Sequence, residues 1–211
     1  MDDLEAYNKV QSSVPNIPEE VVRLWLLPWV KTLGWPPSGR IWNLRLGGES
    51  IAFWNDATWK KEKLHLPSLP YSPGYFDTMQ GLHEAYIQGK ENPYSRDLGE
   101  NGRRRFHRSL KYIVKHRIFP KPPILYPNEI EKYEIMDGNH RFFALIAATR
   151  ISEEIAEYAL EEKKMFLEKM DIAELLPPEN IQEVWVCRPN WENSANAKTR
   201  KYLRDNGIDF I

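Results

Sequence analysis

The chain has 211 residues and a net charge of -1, with 42% hydrophobic and 28% charged residues. This composition predicts a soluble globular protein with a sizeable core and excludes a disordered chain. Because the net charge is near zero, a site for nucleic acid or for an anionic membrane would need a local cluster of basic residues. The single cysteine excludes an intramolecular disulfide, and the absence of a signal peptide or a bilayer-spanning segment predicts a cytoplasmic protein without a membrane partner.

Residues 1–60 are predicted to form an N-terminal extension that is rich in aromatic residues. Its first 16 residues are polar and are expected to be loosely ordered. Pro18, followed by two glutamates, predicts a helix that reaches Trp29, with Pro28 bending or ending it. Two apolar runs within residues 40–54 flank a pair of glycines, and this pattern predicts a β-hairpin.

Six of the eight tryptophans lie in this extension. Large aromatic side chains are mostly well buried, which favours a core built around them. The alternative is an exposed aromatic face that contacts sugars, bases or a protein partner, because aromatic side chains supply large and rigid contact areas.

Residues 61–190 are predicted to form the main domain, and residues 191–211 a polar C-terminal tail. The main domain begins with a lysine cluster, three prolines and a short strand at residues 64–66. Residues 77–88 have the pattern of a helix. Residues 89–102 are polar and carry glycines, which predicts a mobile flap over a ligand.

Residues 103–118 are predicted to form an amphipathic helix with a basic face. Apolar residues recur at helical spacing on one side, and basic residues recur at intervals of four, three and four residues on another. The members of this basic row are Arg104, Arg108, Lys111 and Lys115. Two interpretations stay open. The row holds the phosphates of a nucleotide or of nucleic acid, or it is a solvated face that pairs with the acidic helix predicted at residues 152–170.

A strand-to-helix turn within residues 133–148 is the most informative stretch of the chain. The first residues favour a strand and the last favour an apolar helix, and the change falls at Gly138, which permits a positive φ and leaves room for a ligand near the backbone. Asn139 is expected to cap the helix, which places His140 and Arg141 in its first turn, where the helix dipole attracts an anion. The alternative is that the polar residues only cap a buried helix and that Arg141 pairs with an acidic side chain.

Residues 184–187 favour a further strand, and this strand contains Cys187. A reactive thiolate needs a polar and partly exposed setting, so we expect a buried structural thiol.

Residues 137–145, with the sequence DGNHRFFAL, resemble the signature turn of the ParB/sulfiredoxin superfamily, in which a strand leads into a Gly-X-His-Arg or Gly-X-Arg-Arg helix start. The resemblance covers residues 64–188, because the predicted basic helix and the segment FPKPPILY precede the turn as they do in the family. It implies an α+β fold with a small mixed sheet packed with helices, to which the N-terminal helix and β-hairpin are added.

The resemblance implies a nucleotide-phosphate site at the turn. Four consecutive residues fall on positions that contact phosphate in the family: Gly138, Asn139, His140 and Arg141. Asp137 falls on the acidic position before the glycine and is expected to bind Mg²⁺ or to act as a base, so Asp137 and His140 are the expected catalytic residues. Arg108 of the basic row is expected to help hold the phosphates. The implied ligand is a nucleoside triphosphate or diphosphate with Mg²⁺.

Two departures from the family pattern restrict the expected chemistry. Sulfiredoxins have a cysteine where this chain has Asn139, so sulfinic-acid reduction through that thiol is not expected. Partition-type ParB proteins carry a helix-turn-helix after the turn, and the residues that follow the turn here are too few for one.

Three functions therefore stay open. The first is an ATP- or ADP-dependent phosphotransferase, such as a kinase, or a nucleotide hydrolase, with an unknown second substrate. The second is a ParB-like nucleic-acid-binding protein or nuclease, which the near-neutral charge disfavours. The third is a non-catalytic, nucleotide-gated module that contacts a protein partner through the N-terminal aromatic region.

Overall fold

The computed structural model describes residues 2–71, 99–156, 164, 168, 176–194, 198–199, 202 and 205–206, without the side chains of 99–101, 103 and 150–156. The helix predicted at residues 77–88 lies outside the described residues, as does the first part of the predicted flap. The last residues of that flap, 99–102, form the start of a long helix.

The described residues form helices separated by a small set of strands. The helices are α1 (Asp3–Ser13), α2 (Glu19–Val21), α3 (Leu27–Leu33), α4 (Gly39–Arg45), α5 (Ile51–Asn55), α6 (Gly99–His116) and α7 (Asn139–Ala156). A π-helical turn (Val22–Leu26) joins α2 to α3, and 3₁₀ turns occupy Leu66–Ser68 and Trp191–Asn193. The strands are β1 (Thr58–His65), β2 (Ile124–Pro127), β3 (Tyr133–Asp137) and β4 (Ile181–Arg188). None of the described helices combines the length and the apolar character that a membrane span requires.

The strands form one mixed sheet in the order β1-β4-β2-β3. Strand β2 runs antiparallel to β3, with Leu125 opposite Ile135, and parallel to β4, with Leu125 opposite Val186. Apart from Gln182, the buried side chains of the two inner strands are apolar, as expected for a parallel pair inside the protein. The predicted α+β class with a small mixed sheet is confirmed.

The chain divides into two compact units. The first consists of residues 1–62, 124–137 and 185–211, and the second of residues 63–123 and 138–184. Each unit therefore draws on separate parts of the chain, whereas the division expected from the sequence followed the chain in order.

The core of the first unit is built around the tryptophans of the N-terminal region. Trp25, Trp42 and Trp54 are buried, and Trp25 meets Trp54 edge to face at 6.2 Å between ring centroids. Trp54 Nε1 donates a hydrogen bond to the carbonyl of Leu46 at 2.9 Å. The ring of Tyr126 from β2 packs on Trp54 at 5.3 Å. The expectation that the aromatic residues form a core is confirmed for these side chains.

The helix predicted from Pro18 continues past Pro28 to the end of α3. Leu27 N–H donates to the carbonyl of Val22, five residues back, so the chain makes one wide turn just before the proline. Proline has no N–H and crowds the carbonyl four residues before it, and a wide turn accommodates both effects. The expected end of the helix near Trp29 is therefore wrong by one turn.

Two other N-terminal predictions are wrong. Most of the segment expected to be loosely ordered is helical, because α1 starts at an Asp2 cap whose carboxylate accepts from Glu5 N–H at 2.8 Å and the helix buries Ala6 and Val10.

The β-hairpin expected within residues 40–54 is instead the pair α4 and α5. The glycine pair ends α4 with positive φ at Gly47 and Gly48, and Ser50 caps α5 by accepting a hydrogen bond from Phe53 N–H at 3.1 Å. A glycine pair between apolar runs suits a helix C-terminus as well as a hairpin turn.

In the second unit, α6 packs along α7. The apolar face predicted for α6 is buried, with Phe106, Leu110, Ile113 and Val114 all in the core. Phe119, just after α6, stacks on Phe142 of α7 at 6.1 Å between ring centroids. This packing holds the basic helix against the helix that follows the turn.

A buried glutamine fixes the chain that leaves α6. Gln182 is 1% exposed, its Oε1 accepts from Phe119 N–H at 3.0 Å, and its Nε2 donates to the carbonyls of Arg117 and Glu179 at 3.0 and 2.6 Å. Arg117 has φ +66 and ends α6 in the left-handed conformation. One side chain thus hydrogen-bonds three backbone groups, and it gives the buried Phe119 N–H an acceptor.

Candidate functional site

The turn between β3 and α7 has the backbone geometry that its sequence predicts, with one change. Gly138 has φ +99, and its carbonyl accepts the first helical hydrogen bond, from Phe142 N–H at 2.9 Å. Gly138 is therefore the residue that caps the helix, and Asn139 is the exposed first residue of α7. The expected capping role of Asn139 is wrong because the helix begins one residue earlier than we inferred.

The space beside Gly138 is filled by the protein itself. A Cβ at this position would lie 2.7 Å from Arg141 Nη2, 2.9 Å from Arg141 Nε and 2.8 Å from the Cβ of Pro123. The guanidinium of Arg141 therefore folds back over the glycine. The sequence predicts space for a ligand beside the Gly138 backbone. The guanidinium of Arg141, a group expected to bind that ligand, occupies this space instead.

The start of α7 carries His140 and Arg141, and the charge of Arg105 on α6 also acts on His140. His140 is half-buried, and burial together with the positive charges of Arg105 and Arg141 lowers the pKa of His140 to about 4. At neutral pH its imidazole is uncharged, so it offers one N–H donor and one nitrogen that accepts a proton. Both charges that act on His140 are positive, which is an environment that suits an anion.

Arg105 is the residue that sequence reasoning did not place in the site. It lies on α6, and the packing of α6 along α7 brings its charge to His140. The sequence favoured Arg108 for this role, and Arg108 is an exposed residue that lines a separate surface of α6. The sequence shows the two arginines three residues apart on one helix. It does not show how that helix is oriented against α7.

Asp137 is the last residue of β3, is half-buried and belongs to the first unit. Among the described residues, no group of three or more His, Cys, Asp or Glu side chains is arranged to hold a metal ion. Mg²⁺ that arrives with a nucleotide is held mainly by phosphate oxygens and water, with one or two carboxylates, so it does not require such a group.

Positive charge at the start of a helix suits a bound oxyanion. A cation at a helix N-terminus opposes the helix dipole, by about 0.3–1 kcal/mol in exposed positions. An oxyanion at the same place accepts hydrogen bonds from first-turn amides and from guanidinium groups, and both kinds of contact are favourable. The donor set of Arg105, His140 and Arg141 therefore fits the phosphates of a nucleotide.

Cys187 is not a candidate nucleophile. Its side chain is fully buried in β4, and burial raises the pKa of the thiol. The prediction of a structural thiol is confirmed.

No family model, no curated protein and no solved structure matches this chain.

Proposed function

We propose that the protein binds the phosphates of a nucleotide at the start of α7 and catalyses phosphoryl transfer from it, to a second substrate or to water. The observation that carries this proposal is the Arg141 guanidinium folded over Gly138 at the start of an 18-residue helix, beside a half-buried His140 on which the charges of Arg105 and Arg141 act. Phosphoryl transfer needs mainly positioning and neutralisation of charge, and these residues supply both.

The three side chains have different roles in this proposal. Arg105 and Arg141 carry permanent charges and are the groups that bind phosphate oxygens in this proposal. His140 is the acid-base group. A bound phosphate offsets the two positive charges that lower the pKa of His140, so the imidazole becomes a stronger base once the nucleotide is present.

The likeness to the ParB/sulfiredoxin superfamily supports the remaining assignments. Asp137 precedes the turn in the chain and has the role of Mg²⁺ ligand in this proposal. When bound with the nucleotide, Mg²⁺ supplies positive charge to the phosphate oxygens. The four-stranded mixed sheet with α6 and α7 agrees with a ParB/sulfiredoxin-like fold, which we propose for the domain.

Thermal unfolding with ATP, ADP or CTP in the presence of Mg²⁺ tests the proposal. A nucleotide at 100 times its Kd stabilises the folded protein by about 2.7 kcal/mol. Removing one charged hydrogen-bonding partner costs about 1.5–3 kcal/mol, so Arg105→Ala and Arg141→Ala should each weaken binding at least tenfold. Arg104→Ala is the matched control, because Arg104 is the neighbouring exposed arginine on α6.

The outcomes separate the candidate functions. Release of phosphate or transfer to an added substrate, lost in His140→Gln, supports an enzyme. Stabilisation without any turnover would make the protein a nucleotide-gated binding module instead. If no nucleotide raises the unfolding temperature, or if Arg104→Ala weakens binding as much as Arg105→Ala, the proposal is wrong.

A further inference from the structure

A second cationic surface lies along α6, apart from the residues proposed to hold the nucleotide. It is an open groove with a volume of about 760 Å³. We call it the basic groove and define it by six of its lining residues, which recur at helical spacing: Arg104, Arg108, Lys111, Tyr112, Lys115 and His116.

The charge of the basic groove is local and of one sign. The chain as a whole carries a net charge of -1, yet the groove holds the complete basic row that the sequence predicts, with every member exposed. Within the part of the chain that the structure describes, Arg108, Lys111 and Lys115 form no ion pair. Like charges three and four residues apart on a helix repel each other, so a bound polyanion would relieve this repulsion.

The groove also contains an aromatic pair. The rings of Tyr112 and His116 lie 4.3 Å apart between centroids, tilted by 36°. These flat side chains stand in the same groove as the cations, and Tyr112 is half-buried while His116 is exposed. Stacking on such rings is sequence-tolerant because every nucleic-acid base has a π-face.

We infer that the basic groove of α6 binds single-stranded nucleic acid, with the basic row on the phosphates and the Tyr112–His116 pair against a base. The row extends over 11 residues of helix, about 16 Å at 1.5 Å per residue. That length matches several successive phosphates of one strand. A duplex keeps its base faces stacked inside, and an acidic peptide has no base to place on the rings. A single strand can contact both the basic row, through its phosphates, and the ring pair, through a base.

Fluorescence anisotropy with a labelled oligothymidylate or oligouridylate of about 16 nucleotides, the upper end of known single-fold site sizes, tests this inference. Three or four phosphate contacts predict a slope of log K against log salt of about -2 to -3 for a single strand. The variant Lys111→Ala/Lys115→Ala should lose about tenfold or more in affinity and reduce the size of the slope by about 1.4.

The matched control is Lys60→Ala/Lys63→Ala, which removes two exposed lysines from β1 and changes the net charge equally. This control should bind like the wild type. Tyr112→Leu should lower affinity by about tenfold while leaving the salt slope unchanged, because stacking releases no counterions. Circular dichroism and the unfolding temperature of each variant show whether it is folded.

Equal loss in the two lysine variants would overturn the inference, because any exposed lysine would then contribute the same. Displacement of the oligonucleotide by polyglutamate, combined with wild-type affinity in Tyr112→Leu, would assign the groove to acidic proteins and would also overturn it. The result is independent of the nucleotide site, since Arg105→Ala leaves the basic groove intact.

Discussion

Replacing Gly138 with alanine tests how the turn before α7 is packed. Alanine at φ +99 adopts a left-handed backbone, which costs about 1–2 kcal/mol. Its Cβ would also lie 2.7–2.9 Å from Arg141 and Pro123 atoms. Overpacking of this kind costs about 1–3 kcal/mol. We therefore expect Gly138→Ala to lower the free energy of unfolding by about 2–5 kcal/mol, measured by urea denaturation.

Arg141 and Pro123, the two neighbours of that Cβ, contribute differently to the cost of the Gly138→Ala substitution. The guanidinium of Arg141 is the end of a flexible side chain and moves, whereas the ring of Pro123 is fixed to the backbone. In an Arg141→Ala background only the contact with Pro123 and the backbone strain remain. The cost of Gly138→Ala should then fall by about 1 kcal/mol, which a double-mutant cycle measures.

Gly39→Ala is the matched control for this prediction. Gly39 also has positive φ, +82, but nothing lies within 4 Å of the position that its Cβ would take. Its substitution should cost the backbone strain alone, about 1–2 kcal/mol. A cost for Gly138→Ala no larger than that for Gly39→Ala would refute the packing that we describe.

Three further predictions concern stability and reactivity. Gln182→Met should lower the free energy of unfolding by about 2–4 kcal/mol in urea denaturation, because Phe119 N–H and two carbonyls lose a buried partner. Glu62 forms a bidentate ion pair with Arg188, and this pair lowers the pKa of Glu62. Glu62→Gln should cost about 1 kcal/mol at neutral pH in thermal unfolding. That difference should shrink as pH falls below 4.5, because protonation of a carboxyl with a lowered folded pKa removes its stabilisation. Cys187 should react with an aromatic disulfide reagent only as fast as the protein unfolds, and rapid labelling of the native protein would contradict its burial.

The elements that could be read from sequence are those with a long and consistent pattern. The amphipathic α6 appears where its apolar spacing predicts it, and β3 and α7 meet at the residue where the pattern changes period. The short apolar runs around Gly47 carried no such information. In α4, Trp42 is buried while Ile41 and Leu44 are 52% and 68% exposed, and only contacts with the rest of the core select that face.

The site was predictable in its backbone and not in its side chains. A positive φ at Gly138 follows from the residue type, so the sequence was sufficient for it. The fold of the Arg141 guanidinium over this glycine depends on Pro123 and on the packing around it. The action of the Arg105 charge on His140 depends on how α6 packs along α7, a tertiary property that helical spacing alone does not determine.

The most direct test of the phosphate site is the titration of the His140 imidazole by NMR, with the signal assigned through His140→Gln. In the free protein, burial and the two neighbouring arginines should hold the pKa of His140 at about 4. With saturating ADP and Mg²⁺, phosphate charge beside the ring should raise that pKa by more than one pH unit. A titration midpoint that is the same with and without the nucleotide would contradict the proposed site.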